Sequence, residues 1–165
     1  MEIRSSAFRD RGDIPPRYTC DGENTSPPIQ ITSIPREAHS LALIVDDPDA
    51  PSGTFVHWLV WNIPVTAATF AEGAGRSKLD NGATQGTNGT GSTGWTGPCP
   101  PAGRHRYRFT AYALDTEVDL AAGASREELE TRMDGHIFER ATLAGTYMRE
   151  QSDARVREEE RNRAR

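Results

Sequence analysis

Cysteine is scarce in this chain of 165 residues: only Cys20 and Cys99 occur. They form no C-x-x-C pair and match no zinc-ligand spacing, which removes the sequence signatures of a redox dithiol and a structural zinc site. No run of about 18 apolar residues is present, so no integral membrane segment is expected. The opening MEIRSSAFRDRGD lacks the apolar core of a signal peptide, and a cytoplasmic location follows as the default. Positive charge is not in excess. A net charge of −5 and a pI near 5.4 argue against nucleic acid as a partner and against an anionic membrane surface. Hydrophobic residues make up only 35%, and the deficit falls in a Gly/Thr-rich middle and a charged tail. No G-x-S-x-G nucleophile motif and no internal repeat is found.

Against that background, the stretch from Ser40 to Ile63 stands out. The apolar run 41–45 reads as a strand buried on both faces, and it ends on two adjacent carboxylates, Asp46 and Asp47. A third, Asp49, lies between Pro48 and Pro51. Acids at the end of a buried strand are costly to desolvate unless something pairs with them, and the prolines stiffen the turn that presents them. A second apolar run, Phe55 to Ile63, carries His57. Strict alternation puts Phe55, His57, Leu59, Trp61 and Ile63 on one face, with Val56, Trp58 and Val60 on the other.

A complementary half lies in Trp95 to Leu114. There Arg104, Arg106 and Arg108 alternate with His105, Tyr107 and Phe109. Three arginines on one face seek water, so the His and Tyr side points inward. The preceding Gly97-Pro98-Cys99-Pro100-Pro101-Ala102-Gly103 is a stiff loop with backbone N–H groups to aim at a ligand. The two stretches together predict one pocket. Cys20 and Cys99 read as reduced thiols in a cytoplasmic chain, with a disulfide or redox pair left open because their loops could converge there.

Along the rest of the chain, an edge strand is expected around Ile3 to Phe8 and a short one at Ile29 to Ile31. Residues 71–94 hold seven glycines and almost nothing apolar, which predicts a flexible rim to the pocket. Ser125-Arg126-Glu127-Glu128 is a capping box opening a helix whose buried stripe is Leu129, Met133 and Ile137, weakened in the middle by Gly135. Alternation at 143–147 predicts a last strand. These signals predict a mainly β sandwich over residues 1–149, a single domain, followed by a charged tail over 150–165. His39 and His136 fall on a loop and a helix surface and are set aside.

The motif Asp47-Pro48-Asp49-Ala50-Pro51 followed by His57, together with GPCPPAGRHRY at 97–107, resembles the phosphatidylethanolamine-binding proteins. The bacterial and archaeal branch, called Raf-kinase-inhibitor-like, is the nearer match, and YTCDG at 18–22 with Ser26-Pro27-Pro28 is similar to it as well. The resemblance spans 15–149. It implies an antiparallel β sandwich with a few short flanking helices and a pocket at one end. It also implies a small anionic or phosphorylated ligand, such as the phosphate of a phosphoethanolamine head group. Carried over, Asp47, His57, His105 and Tyr107 line the pocket, Pro100 and Pro101 form its wall, and Trp95 is an aromatic rim position. Asp49 is aimed with Asp47 by a cis Ala50–Pro51 bond, and Gly97 and Cys99 donate from their backbone. Asp47 either orients a histidine and raises its pKa or accepts from an ammonium group. The residues alone leave another use for Asp47, capping its own turn, and for His105 a place as a satisfied core residue. Where prokaryotic members carry an Asn-Asp-Phe-Gly-like segment, this chain has Thr87-Asn88-Gly89-Thr90-Gly91.

Three functions compete on this reading. A non-enzymatic binding protein takes the anion and regulates a partner; a protease or kinase inhibitor works through surface loops; a metal-dependent hydrolase uses Asp47, Asp49, His57 and His105 as ligands. The first is preferred, with no cofactor implied. A homodimer is expected from the family.

Overall fold

A computed structural model describes residues 1–164. Six strands form the main sheet in the order β2 (Gly12–Asp13), β9 (Ile137–Tyr147), β8 (His105–Leu114), β4 (Ser40–Asp47), β5 (Phe55–Ile63) and β7 (Thr84–Gln85). Every pairing is antiparallel except β2 with β9. Three strands, β1 (Glu2–Arg4), β3 (Ile29–Thr32) and β6 (Thr69–Phe70), make a second sheet. The first edge strand is thus shorter than its expected span of 3–8. Helix α1 covers Arg126–Met133, and α2 covers Glu150–Arg163 in the charged tail. Residues 157–164 of that tail are exposed, and Arg165 lies outside the described residues.

β4 is buried along its whole length because it has a layer on each side. Leu41, Leu43 and Val45 face a core shared with Ile29, Ile31, Phe70, Phe109 and Trp58. Ala42 and Ile44 face a smaller core with Leu59, Trp61, Leu129 and Met133, closed by α1. The Ser125 hydroxyl accepts from the Glu128 N–H, completing the predicted cap. The helix does not reach Ile137. Gly135 adopts φ +80, a left-handed position that ends helices, and Ile137 is the first residue of β9. His136 sits in that turn, bonded to Asp115, and not on a helix surface.

The expected face pattern of β5 also fails. Val45 pairs with Trp58 and Asp46 with Val56, so His57 is the extra residue of a β-bulge. Trp58 and Val60 enter the inter-sheet core while Leu59 and Trp61 turn to the α1 side. His57 therefore lies on the side of Trp58, and both rings approach Trp95.

Within the Gly-rich stretch 71–94, the part around 84–89 is laid against β5. Gly86 N–H donates to Leu59, Gly89 N–H to Val56, and Thr87 N–H to Ala124. Gly89 has to be glycine because a Cβ there would collide with the Phe55 ring. Gly75, Gly86 and Gly94 are approached as closely, whereas Gly82 and Gly91 meet nothing within 4 Å and take a positive φ.

Candidate functional site

The ends of β4, β5 and β8 meet at one edge of the main sheet, and a cavity of about 230 Å³ opens there. β4 contributes Asp47, β5 contributes Phe55 and His57, and β8 contributes His105 and Tyr107. The loop wall adds Thr96, Gly97, Cys99, Pro100 and Pro101, and the turn after β4 adds Ala50 and Pro51. Thr90, from the segment that departs from the family pattern, lines it too. A larger groove of about 680 Å³ runs along 1–10 and 141–143, but no buried polar groups converge on it.

Antiparallel register builds the base of the cavity. Asp46 pairs with Arg108 across β4 and β8, which brings Asp47 beside the start of β8. His105 Nδ1 donates to Asp47 Oδ2 at 2.7 Å. Asp47 Oδ1 accepts the Asp49 N–H at 2.8 Å. Both sequence readings of Asp47 therefore hold: it caps its own turn and it orients a histidine. His57 Nδ1 donates to the Thr96 carbonyl at 2.7 Å, and the Thr96 N–H returns a bond to the His57 carbonyl. In each histidine Nδ1 is committed, so Nε2 is the ring nitrogen left for a ligand. The Tyr107 ring lies 5.2 Å from that of His57 and 6.5 Å from that of His105.

These four side chains are between 1% and 7% exposed. A polar group so buried normally finds a partner. The Tyr107 hydroxyl has none among the described residues. Burial pushes its pKa up, so it stays a neutral donor. Burial also lowers the pKa of His57, outweighing the Thr96 carbonyl and the Asp47 and Asp46 carboxylates that favour its charged form. At His57 the Asp47 carboxylate acts upward, as expected of a carboxylate near a histidine, but desolvation is the larger effect and the net shift is downward.

Several predicted ligand positions take other places. Asp49 does not line the cavity. Its carboxylate grips Arg106 through Nε, Nη2 and the backbone N–H, at 2.8–3.0 Å, which holds its pKa down to about 2. Trp95 lies behind the wall, stacked 6.1 Å from Phe109 and edge-on to Trp58. Gly97 contributes surface, but its N–H is already given to Asn24 Oδ1. The Ala50–Pro51 bond is trans, and the Asp49 N–H, not a cis peptide, aims Asp47. Cys99 is not a free thiol: it forms a disulfide with Cys20, Cα–Cα 5.4 Å, and the Cys20 N–H also donates to Pro98. The two loops do converge, so the reading left open replaces the preferred one.

Sequence reasoning missed Ala50, Pro51, Phe55, Thr90 and Thr96 in the lining. Phe55 was visible as the first residue of its strand, but nothing local marks Thr90 or Thr96. No group of three or more His, Cys, Asp or Glu arranged to hold a metal ion is found among the described residues. Nor is any helix among them long and apolar enough to cross a membrane.

A β sandwich with a mostly carbon-lined cavity, floored by a few convergent polar side chains, has the build of a small-ligand binding protein. The pattern of the family described as phosphatidylethanolamine-binding protein matches residues 4–148. A UPF0098 protein of Methanothermobacter thermautotrophicus is 52% identical over 152 residues, covering 90% of this chain and 99% of that one. The crystal structure of a phosphatidylethanolamine-binding protein homologue from Chlamydia trachomatis is 42% identical, with a TM-score of 0.84 over 90% of this chain and 97% of that one. E. coli YbcL, a member of the mammalian family, is 30% identical with the same TM-score, over 90% and 98% of the two chains. The chain belongs to the phosphatidylethanolamine-binding protein family.

Proposed function

We propose that the protein is a non-enzymatic binding protein whose cavity takes a small anion, a phosphate or a phosphorylated head group. The observation that carries this reading is the buried Tyr107 hydroxyl, a donor without an acceptor among the described residues, in a cavity also lined by His57 and His105. An anionic oxygen supplies the missing acceptor, and such charge-assisted hydrogen bonds are the stronger kind. Each Nε2 needs a proton between itself and the anion, brought by the imidazole or by a P–OH group. Binding is favoured over catalysis because the one thiol in the lining is consumed by the disulfide and the Thr90 hydroxyl is bonded to Asn88. Occupancy of the cavity is the signal a partner protein would read.

Thermal unfolding with inorganic phosphate and with phosphoethanolamine tests this. Ligand at about a hundred times its Kd should raise Tm by about 5 °C or more. His105→Ala should remove the rise and leave the circular dichroism spectrum unchanged. The absence of any shift at millimolar ligand would sink the reading. Inhibition of a protease or kinase that survives His105→Ala would move the function to the surface loops.

A further inference from the structure

The cavity wall gives Gly97, Cys99, Pro100 and Pro101 to the lining. Pro98, Pro100 and Pro101 have no N–H to donate, and the N–H groups of Cys99, Ala102 and Gly103 reach no acceptor among the described residues. Two hydrogen bonds join the wall to the 18–24 loop, from Gly97 N–H to Asn24 Oδ1 and from Cys20 N–H to the Pro98 carbonyl, and both lie ahead of Cys99. At Cys99 itself the tie is the disulfide to Cys20. Both half-cystines are exposed, so an attacking thiol can reach them. Neither belongs to the two hydrophobic cores, and a chain of this length buries enough surface to fold without a staple.

We infer that the Cys20–Cys99 disulfide is a thiol-operated latch on the cavity: closed, it fixes the wall against the guest, and opened by a thiol it releases both. This rests on the anion-binding reading above and adds the regulation of that site. In the opening step a thiolate, from a small thiol or a dithiol protein, attacks one sulfur. A mixed disulfide forms as the S–S bond breaks, and the other cysteine leaves as a thiolate that takes a proton from water. A second thiolate resolves the mixed disulfide, so the pair gains two electrons and two protons and the attacking thiols leave oxidised. Fixing even one freed residue of the wall again costs about tenfold in affinity. Coupling of this kind is reciprocal, so a saturating anion should make the disulfide harder to reduce by the same factor, about 30 mV for tenfold.

The full chain in glutathione buffers of graded ratio tests this, with the thiol fraction read by alkylation and mass. The disulfide should open at millimolar glutathione without denaturant, with the circular dichroism spectrum kept. Isothermal titration should then find inorganic phosphate bound about tenfold more weakly than by the oxidised chain. Saturating phosphate should move the reduction midpoint by that factor, and the double variant Cys20→Ser with Cys99→Ser should bind as the reduced chain does. Hydrogen exchange at the bonded amides of Cys20 and Gly97 should quicken on reduction. A disulfide that opens only in denaturant, or a fold lost on reduction, would make it a structural staple and overturn the latch. So would equal phosphate affinity in the two redox forms. If phosphate binds neither form, the anion reading fails by itself. The latch then stands on faster exchange at Cys20 and Gly97 and falls if exchange is unchanged.

Discussion

Asp46 and Asp47 are neighbours on one strand, equally buried at 3% and 4% exposure, and they have opposite surroundings. Asp46 turns to the α1 side and receives Arg108 through Nε and Nη2 and Arg126 through Nη1, all at 2.8–2.9 Å. Arg126 also reaches Glu130, so sheet and helix are joined by a closed ionic network. Asp47 turns the other way, onto one histidine and one backbone N–H, at the edge of a cavity that keeps an unpartnered hydroxyl. The difference separates structure from site. A buried carboxylate whose every neighbour is paired holds the fold together. A buried carboxylate beside an unpaired donor and a space orients groups for something that is not part of the chain. Adjacent residues with the same side chain cannot be told apart by type; their partners tell them apart.

The covalent tie is the largest lever on this contrast, because it belongs to the cavity side only. Cys20 and Cys99 close a loop with a sequence separation of 79, so Cys99→Ser should cost about 4 kcal/mol in urea unfolding. Reduction should weaken phosphate binding as well, since the Cys99 end of the wall then loses its covalent tie and keeps only hydrogen bonds. On the other side, Asp46→Ala leaves Arg108 without its acceptor and Arg126 with Glu130 alone; both arginines are partly exposed, so the cost should be about 2 kcal/mol, with phosphate affinity unchanged. If Asp46→Ala lost affinity and kept stability, the contrast between the two acids would be wrong.

Smaller and opposite in sign is Tyr107→Phe. Removing an unpaired buried hydroxyl should stabilise the ligand-free protein by about 1 kcal/mol and weaken phosphate binding by about tenfold. Destabilisation would mean that the hydroxyl has a partner in the fold. The smallest effect is on pH dependence. His57 has a pKa below its ordinary 6.5 in the folded state, so near that pH the unfolded chain binds more protons than the native one. Stability should therefore be complete above 6.5 and fall as pH drops below it, and His57→Gln should flatten that slope in unfolding measured between pH 5 and 7.

Where periodicity was strict, the sequence could be read directly. His105, Tyr107 and Phe109 point inward and Arg106 and Arg108 outward, as alternation on β8 requires. The helix start at Ser125 was equally readable, because a capping box is a local hydrogen-bond pattern. The helix end was misread, since a glycine inside an apolar stripe looks the same whether it weakens a helix or stops it in a left-handed turn. On β5 the period of two broke at His57, where two residues face one across the ladder; that count belongs to the partner strand.

By itself the sequence determined the β-rich class and the strands that carry the site, because apolar patterning and stiff proline turns act over short distances, and two motifs in the right order marked the family. Only the folded chain decided which acid faces the cavity, that Asp49 is spent on Arg106, and that Cys20 and Cys99 are joined. Each of those depends on register and on the meeting of segments separated by tens of residues, and a distance through space is not written in the order of the residues.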